Sequence, residues 1–154
     1  MTIYIKSTSD DAELSAKHEQ LGQALACMLY NRNYSLYPIL TLQYWTENAI
    51  AHRQIRFLFD NRGLALAYIT WAYLLPDTVG RLRSDPEFRL HPSEWDEAGE
   101  PWILDFCCKP GYGYKAAERF RQLRPWGPQR AHWLSRRKHI ITCRMSGQAK
   151  PSCP

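Results

Sequence analysis

The segment WILDFCCKPGYGYK, residues 102–115, constrains the fold more than any other stretch of the chain. WILDFCC reads as a strand, the glycine-bearing residues after it as a tight turn, and GYGYKAAERFRQL as a helix starting near residue 112. A strand that is apolar at both alternating sets of positions belongs inside a sheet covered on both faces. Strict alternation puts Ile103, Asp105 and Cys107 on one face, and Trp102, Leu104, Phe106 and Cys108 on the other. Asp105 is the odd residue. Aspartate is depleted in strands and costly to bury unless it is paired or hydrogen-bonded. Such a residue either caps a loop or pairs with an arginine for structural reasons, or it serves chemistry.

The rest of the chain supplies a frame for that strand. Residues 11–31 read as a helix, with Leu14, Leu21, Leu25, Met28 and Leu29 on one face and a capping-box-like start at Asp10 and Glu13. After YNRNYSLYP, residues 38–52 read as a second helix with Pro38 in its first turn. Residues 54–59 alternate like a strand, DNRG at 60–63 is hairpin-turn chemistry, and residues 64–73 supply the partner strand. Residues 76–85 suit a short helix, and the polar stretch after them a loop. RPWGP ends the helix that follows the central strand, and AHWLSRR with HIITCRM reads as a closing hairpin turning near Arg137 and Lys138. The order is α-α-β-β-α-β-α-β-β: one α+β domain over residues 11–145, with an N-terminal arm at 1–10 and a flexible tail at 146–154.

Composition narrows the class. A chain of 154 residues, 45% hydrophobic, is long enough for one real core and too apolar for a disordered segment. No apolar run approaches the roughly 18–20 residues that span a bilayer. The start MTIYIKSTSDD lacks a signal-peptide pattern, and the five cysteines are odd in number with no C-x-x-C. These features point to a cytoplasmic protein with reduced thiols and no metal site. Charge is divided unevenly: residues 1–108 carry nine basic and fourteen acidic side chains, and residues 109–154 carry eleven basic ones against Glu118 alone. A basic final third suits an anionic partner (nucleic acid, an acidic protein or a phosphate-bearing cofactor) or simply a solubilising surface.

Gly111 and Gly113 let the backbone turn so that amides at a helix start can face an anion, with Lys109 and Lys115 adding charge. Strand, glycine turn and helix is the way acetyltransferase-type folds cradle a cofactor pyrophosphate. Their fuller pattern resembles [QR]-x-x-G-x-G/A, and here Cys108 stands at the Gln or Arg position.

Three segments read together carry a more specific likeness: RNYSL at 32–36, ALAYITWAYL at 65–74, and WILDFCCKPGYG at 102–113. In this order they resemble the toxin-activating lysine-acyltransferases, which fatty-acylate RTX protoxins. Arg32, Asn33 and Tyr34 fall on that family's H-R-x-W segment; Ala67, Tyr68, Thr70, Trp71 and Ala72 on A-Y-C-S-W-A; Trp102, Asp105, Phe106 and Pro110 on W-x-x-D-W-I-A-P-F. The likeness covers about residues 25–145. It implies a GNAT-like α+β domain with a mixed or antiparallel central sheet flanked by helices, usually as a homodimer. It also implies transfer of a fatty acyl group from an acyl-carrier protein thioester, or from acyl-CoA, to a lysine of a protein substrate. Asp105 would be the main catalytic residue, Trp71 would line the site, and Lys109, Gly111 and Gly113 would shape the donor turn.

The family's histidine falls on Asn31, and asparagine orients groups or donates hydrogen bonds but is no general base. Three readings stay open: another histidine, His52 or His18, takes over; the chain acylates by positioning alone; or it is a catalytically silent relative that binds carrier or partner protein. By the same resemblance, Arg119, Arg121, Arg124, Arg136, Arg137 and Lys138 would dock an acidic carrier. A basic nucleic-acid-binding module is the competing reading, with Trp126, His132 and Trp133 as stacking groups. No helix-turn-helix, RRM or zinc pattern accompanies them, and the two tryptophans read better as packing residues.

Overall fold

The computed structural model describes residues 14–135 and 139–143. Its elements follow the expected order: α1 (Leu14–Tyr30), a π-helical turn (Leu42–Thr46) running into α2 (Glu47–Ala51), β1 (Ile55–Phe59), β2 (Ala65–Leu74), α3 (Pro76–Ser84), a 3-10 turn (Pro92–Glu94), β3 (Glu100–Cys108), α4 (Gly113–Leu123), β4 (His132–Leu134) and β5 (Ile140–Thr142). The second helix differs from its expected form, since its first part winds with the wider π pitch. The N-terminal arm, the capping box, the turn at Arg137 and Lys138, and the tail lie outside the described residues. No helix among those residues is long and apolar enough to cross a membrane.

The five strands form one mixed sheet in sequence order. Neighbours are antiparallel except β3 and β4, which run parallel with α4 as the crossover. The DNRG turn behaves as its residues require. The Gly63 N–H closes on Asp60 O at 3.1 Å with Gly63 at φ +80°, and the Asp60 carboxylate accepts the N–H groups of Arg62 and Leu64.

Both faces of the sheet are covered. On one face Ala24, Cys27 and Met28 of α1 pack with Phe57, Tyr68, Ala72, Trp102 and Cys107. On the other, Ala116 and Phe120 of α4 pack with Leu58, Ala67, Ile69, Trp71 and Trp126. β3 therefore sits where its two-sided apolar pattern predicts, between β2 and β4 and under helices on both sides. At the other end of β2 the chain returns so closely that a Cβ on Gly99 would lie 2.0 Å from Leu74 O, so only glycine fits there.

Candidate active site

Two irregularities of β3 build the site. The first is a bulge. Thr70 pairs with Asp105 but Trp71 pairs with Ile103, so Leu104 is an extra residue in β3. The extra residue breaks strict alternation. Trp102, Leu104 and Cys107 belong to the α1-side core, whereas Ile103, Phe106 and Cys108 belong to the α4 side. This corrects the simple pleat: Asp105 does not share Ile103's face but points to the α1 side, toward Tyr34 and Tyr68. The adjacent Cys107 and Cys108 do fall on opposite faces, as expected.

The second irregularity is that β4 leaves early. The parallel ladder holds only Trp102 with His132 and Ile103 with Trp133, while β3 continues to Cys108. Beyond Ile103 a cleft of about 450 Å³ opens, with Tyr34, Asp105, Phe106, Phe120, Arg121 and Trp133 in its walls. A larger cavity, about 960 Å³, lies by Glu100 and Trp102 at the start of β3, and Asp105 is not in its wall. The smaller cleft is the better candidate because the half-buried Asp105 carboxyl stands in its wall.

Losing β4 leaves backbone groups that need partners. Lys109 N–H bonds Leu66 O at 2.8 Å, which fixes the phase of the β2–β3 ladder. Counting from it, Cys107 and Asp105 face β2 with their backbone groups, and Phe106 and Cys108 face away. Side chains from the turn that follows α1 take the place of a strand there. Tyr34 Oη lies 3.0 Å from Phe106 O, and Asn31 Nδ2 donates to Cys108 O at 3.1 Å. Asn31 also accepts from Asn33 N–H through Oδ1 and from Tyr34 N–H through its backbone carbonyl. One asparagine thus ties α1 to β3 and presents Tyr34.

Asp105 is held by two tyrosines. Tyr34 Oη bonds Oδ1, and Tyr68 Oη bonds Oδ2 at 2.7 Å. Burial pushes the carboxyl above the usual carboxylate range, and the hydroxyls of Tyr34 and Tyr68 with the Phe106 N–H pull it part of the way back. The same burial, with the Asp105 charge beside them, pushes both tyrosine hydroxyls far above the ordinary tyrosine value. The sequence pattern contains both tyrosines but does not pair them with Asp105. The signal was the demand of a buried carboxyl for donors, and the bulge at Leu104 conceals which face supplies them.

The other expected site residues are spread wider. His52, half-buried at the end of α2, stacks on Trp95 at 6.3 Å between ring centroids and is not among the groups that bond Asp105. His18 is an exposed residue of α1. Trp71 is buried in the α4-side core rather than in the cleft wall, and among the described residues its indole N–H has no hydrogen-bond partner. Lys109 places its ammonium 4.4 Å from the centre of the Tyr30 ring.

Pro110 and Gly111 occupy the corner of a β-turn closed by Tyr112 N–H to Lys109 O at 3.2 Å, with Gly111 at φ +85°. Gly113 opens α4, whose first turn has no acidic residue and no side-chain cap. Arg121 reaches the cleft while paired with Glu118, Arg119 bonds Gln122, and Arg124 turns back to Pro128 O. Arg136 and Arg137 lie outside the described residues. Trp126 is buried and Trp133 packs beside it, as the packing reading predicts.

No family model matches the chain, and no curated protein matches it. Among solved structures, a protein of Corynebacterium glutamicum described as histone acetyltransferase HPA2 and related acetyltransferase is similar over 86% of this chain and 76% of its own, at 11% identity and a TM-score of 0.45. At that distance the likeness carries no argument about activity. The described residues form an α+β domain with a five-stranded mixed sheet and a cleft beside Asp105.

Proposed function

We propose that the chain is an acyltransferase that moves an acyl group from a thioester donor to a lysine amine of a protein, with a GNAT-like domain as its scaffold. The observation that carries the reading is the cleft where β3 and β4 part. It has a carboxyl and a tyrosine hydroxyl in its wall, and a proline-glycine turn and the uncapped start of α4 directly follow β3. The sequence resemblance adds an acyl-carrier protein as donor and a toxin-like protein as acceptor.

The chemistry asked of such a site is mainly proton traffic. The lysine ammonium must first lose a proton; its nitrogen then attacks the thioester carbon and gives up a second proton, the C–S bond breaks, and the leaving sulfur takes a proton. Asp105 and Tyr34 are polar groups of the cleft able to exchange protons with those atoms. The turn at 109–112 and the first-turn amides of α4 suit the phosphate that a carrier-bound or coenzyme-bound thioester brings with it. Asn31 acts in this reading as a positioning group through Cys108 O and Tyr34 N–H.

The test is incubation of the full chain with a lysine-bearing protein and, in separate arms, acyl-carrier protein loaded with a long acyl chain and acyl-CoA, followed by intact-mass analysis. The expected result is an acyl adduct with one donor, reduced about 100-fold or more in Asp105→Asn, the scale of lost acid–base assistance. No adduct with either donor overturns the reading. Tight carrier binding without transfer identifies a silent binding relative instead, a reading favoured by the two tyrosines that stand at Asp105 where the resemblance implies a histidine.

A further inference from the structure

Tyr34 has one hydroxyl hydrogen and two acceptors. Its oxygen bonds Asp105 Oδ1 and also lies 3.0 Å from Phe106 O. Phe106 O points away from β2 by the ladder phase and has no β4 residue opposite it, so Tyr34 is the donor the structure offers it. If Asp105 is ionised, Tyr34 must give its hydrogen to Oδ1 and leave Phe106 O without it. If Asp105 is protonated, Oδ1–H donates to the Tyr34 oxygen, Tyr34 donates to Phe106 O, and Tyr68 donates to Oδ2. Only the second arrangement satisfies every group with the hydrogens present.

We propose that Asp105 rests as a neutral carboxylic acid, and that Tyr34 is the positioning hydroxyl that passes its hydrogen bond on to Phe106 O and turns to Oδ1 when the acid ionises. The surroundings agree. Tyr68 faces the carboxyl from β2, Tyr34 from the segment after α1 with the Tyr37 ring 5.2 Å behind it, and Cys107 follows on the same strand. Cys27 of α1 lies beyond Cys107, its thiol pushed up to about 12 by burial. None of these side chains brings a positive charge to the carboxyl. Besides Asp105 the charged group in the cleft wall is Arg121, paired with Glu118; Lys109 is close enough to Cys27 to act on its thiol, and among the described residues no cation bonds Asp105. Burial without a counter-charge favours the neutral acid, the direction in which the carboxyl is displaced.

Two states follow from one proton. Removing it forces Tyr34 to turn its hydrogen from Phe106 O to Oδ1, so ionisation of Asp105 loosens the unladdered edge of β3. The resting site then offers a proton donor to whatever enters the cleft, rather than a carboxylate poised to hold an imidazolium. The inference concerns the resting protein and stands apart from the acyl-transfer reading.

Carbon-13 NMR of the full chain labelled at aspartate carboxyls tests it without any substrate. At pH 7 one carboxyl resonance is expected at the protonated position, titrating above the ordinary aspartate range and disappearing in Asp105→Asn. In Tyr34→Phe its midpoint should move up by about one further unit, because the ionised form loses a donor. If all aspartates of the wild type stand at the ionised position at pH 7, the proposal is overturned, whichever resonance belongs to Asp105. If the midpoint is unmoved in Tyr34→Phe, Tyr34 has no such role. Should Asp105→Asn fail to fold, the response of the same resonance to Tyr34→Phe and Tyr68→Phe assigns it.

Discussion

Asp60 and Asp105 are both acids of the hairpin-and-centre part of the sheet, yet the fold drives them in opposite directions. Asp60 accepts the Leu64 and Arg62 N–H groups at 2.9 Å each, with Arg62 Nε 3.6 Å away, and its carboxyl is held below the usual range, chiefly by the Leu64 bond. Asp105 is raised, chiefly by burial. The unfolded chain has both near 3.9. Stability from Asp60 is therefore present above that value and lost as pH falls through its lower native value. The contribution of Asp105 has the other sign: it is complete below the unfolded value and lost as pH rises through the higher native one. Urea unfolding over a pH series should show Asp60→Asn flattening the acid limb and Asp105→Asn flattening the decline on the less acidic side. An unchanged slope above pH 4 in Asp105→Asn would remove the claim that the fold prefers its neutral form. The anomaly of Asp105 is legible in WILDFCC, and so is the role of Asp60 in DNRG. The donors to Asp105 are not, because strict alternation assigns Asp105 to the wrong face once Leu104 is an extra residue.

Local signals mark most of the elements, and the failures have local causes. The α1 helix, the β1–β2 hairpin and the strand-turn-helix at the centre all form where their periodicity predicts, but α1 buries Ala24, Cys27 and Met28 and leaves Leu25 and Leu29, expected on the apolar stripe, exposed. The second helix takes part of its length in π form, and nothing in a periodic apolar pattern distinguishes that pitch. The turn between β3 and α4 separates its two glycines in a way that their spacing alone does not. Gly111 stands at φ +85°, so Ala there meets backbone strain, and Gly111→Ala should cost about 1–2 kcal/mol. At Gly113 a Cβ would meet Cys108 Sγ at 3.7 Å, an ordinary contact, and Gly113→Ala should be neutral or gain up to about 1 kcal/mol from helix propensity. Equal losses in the two variants would contradict this division. Asn31→Ala tests the tie between α1 and β3. It leaves Cys108 O without its donor, which should cost about 1–2 kcal/mol and speed amide exchange in residues 31–35 and 104–108 together. Faster exchange confined to the α1 end would mean that β3 does not depend on that bond.

At the scale of the molecule, the α+β class and the element order are legible because each layer needs its own apolar face. The cleft is not. It depends on how far β4 follows β3, and that is set by packing of residues distant in sequence: Trp133 against the α4-side core and Cys143 N–H on Ala131 O. The charge division falls at the same place. Acidic residues outnumber basic ones up to Cys108, and from Lys109 onward eleven cations face a single acid. In the structure this puts α4, whose Arg121 reaches the cleft, in the positive part of the chain. A field of that shape acts on encounter more than on the docked state. If the donor is an acidic carrier protein, raising salt from about 0.05 to about 0.5 M should slow its association roughly tenfold and change dissociation far less. Reversing charge with Arg119→Glu and Arg121→Glu should slow association at low salt and flatten its salt dependence. Stopped-flow association with a fluorescent carrier reads both effects. An association rate indifferent to salt and to the reversal would assign the basic third to solubility and leave the choice of donor to the cleft alone.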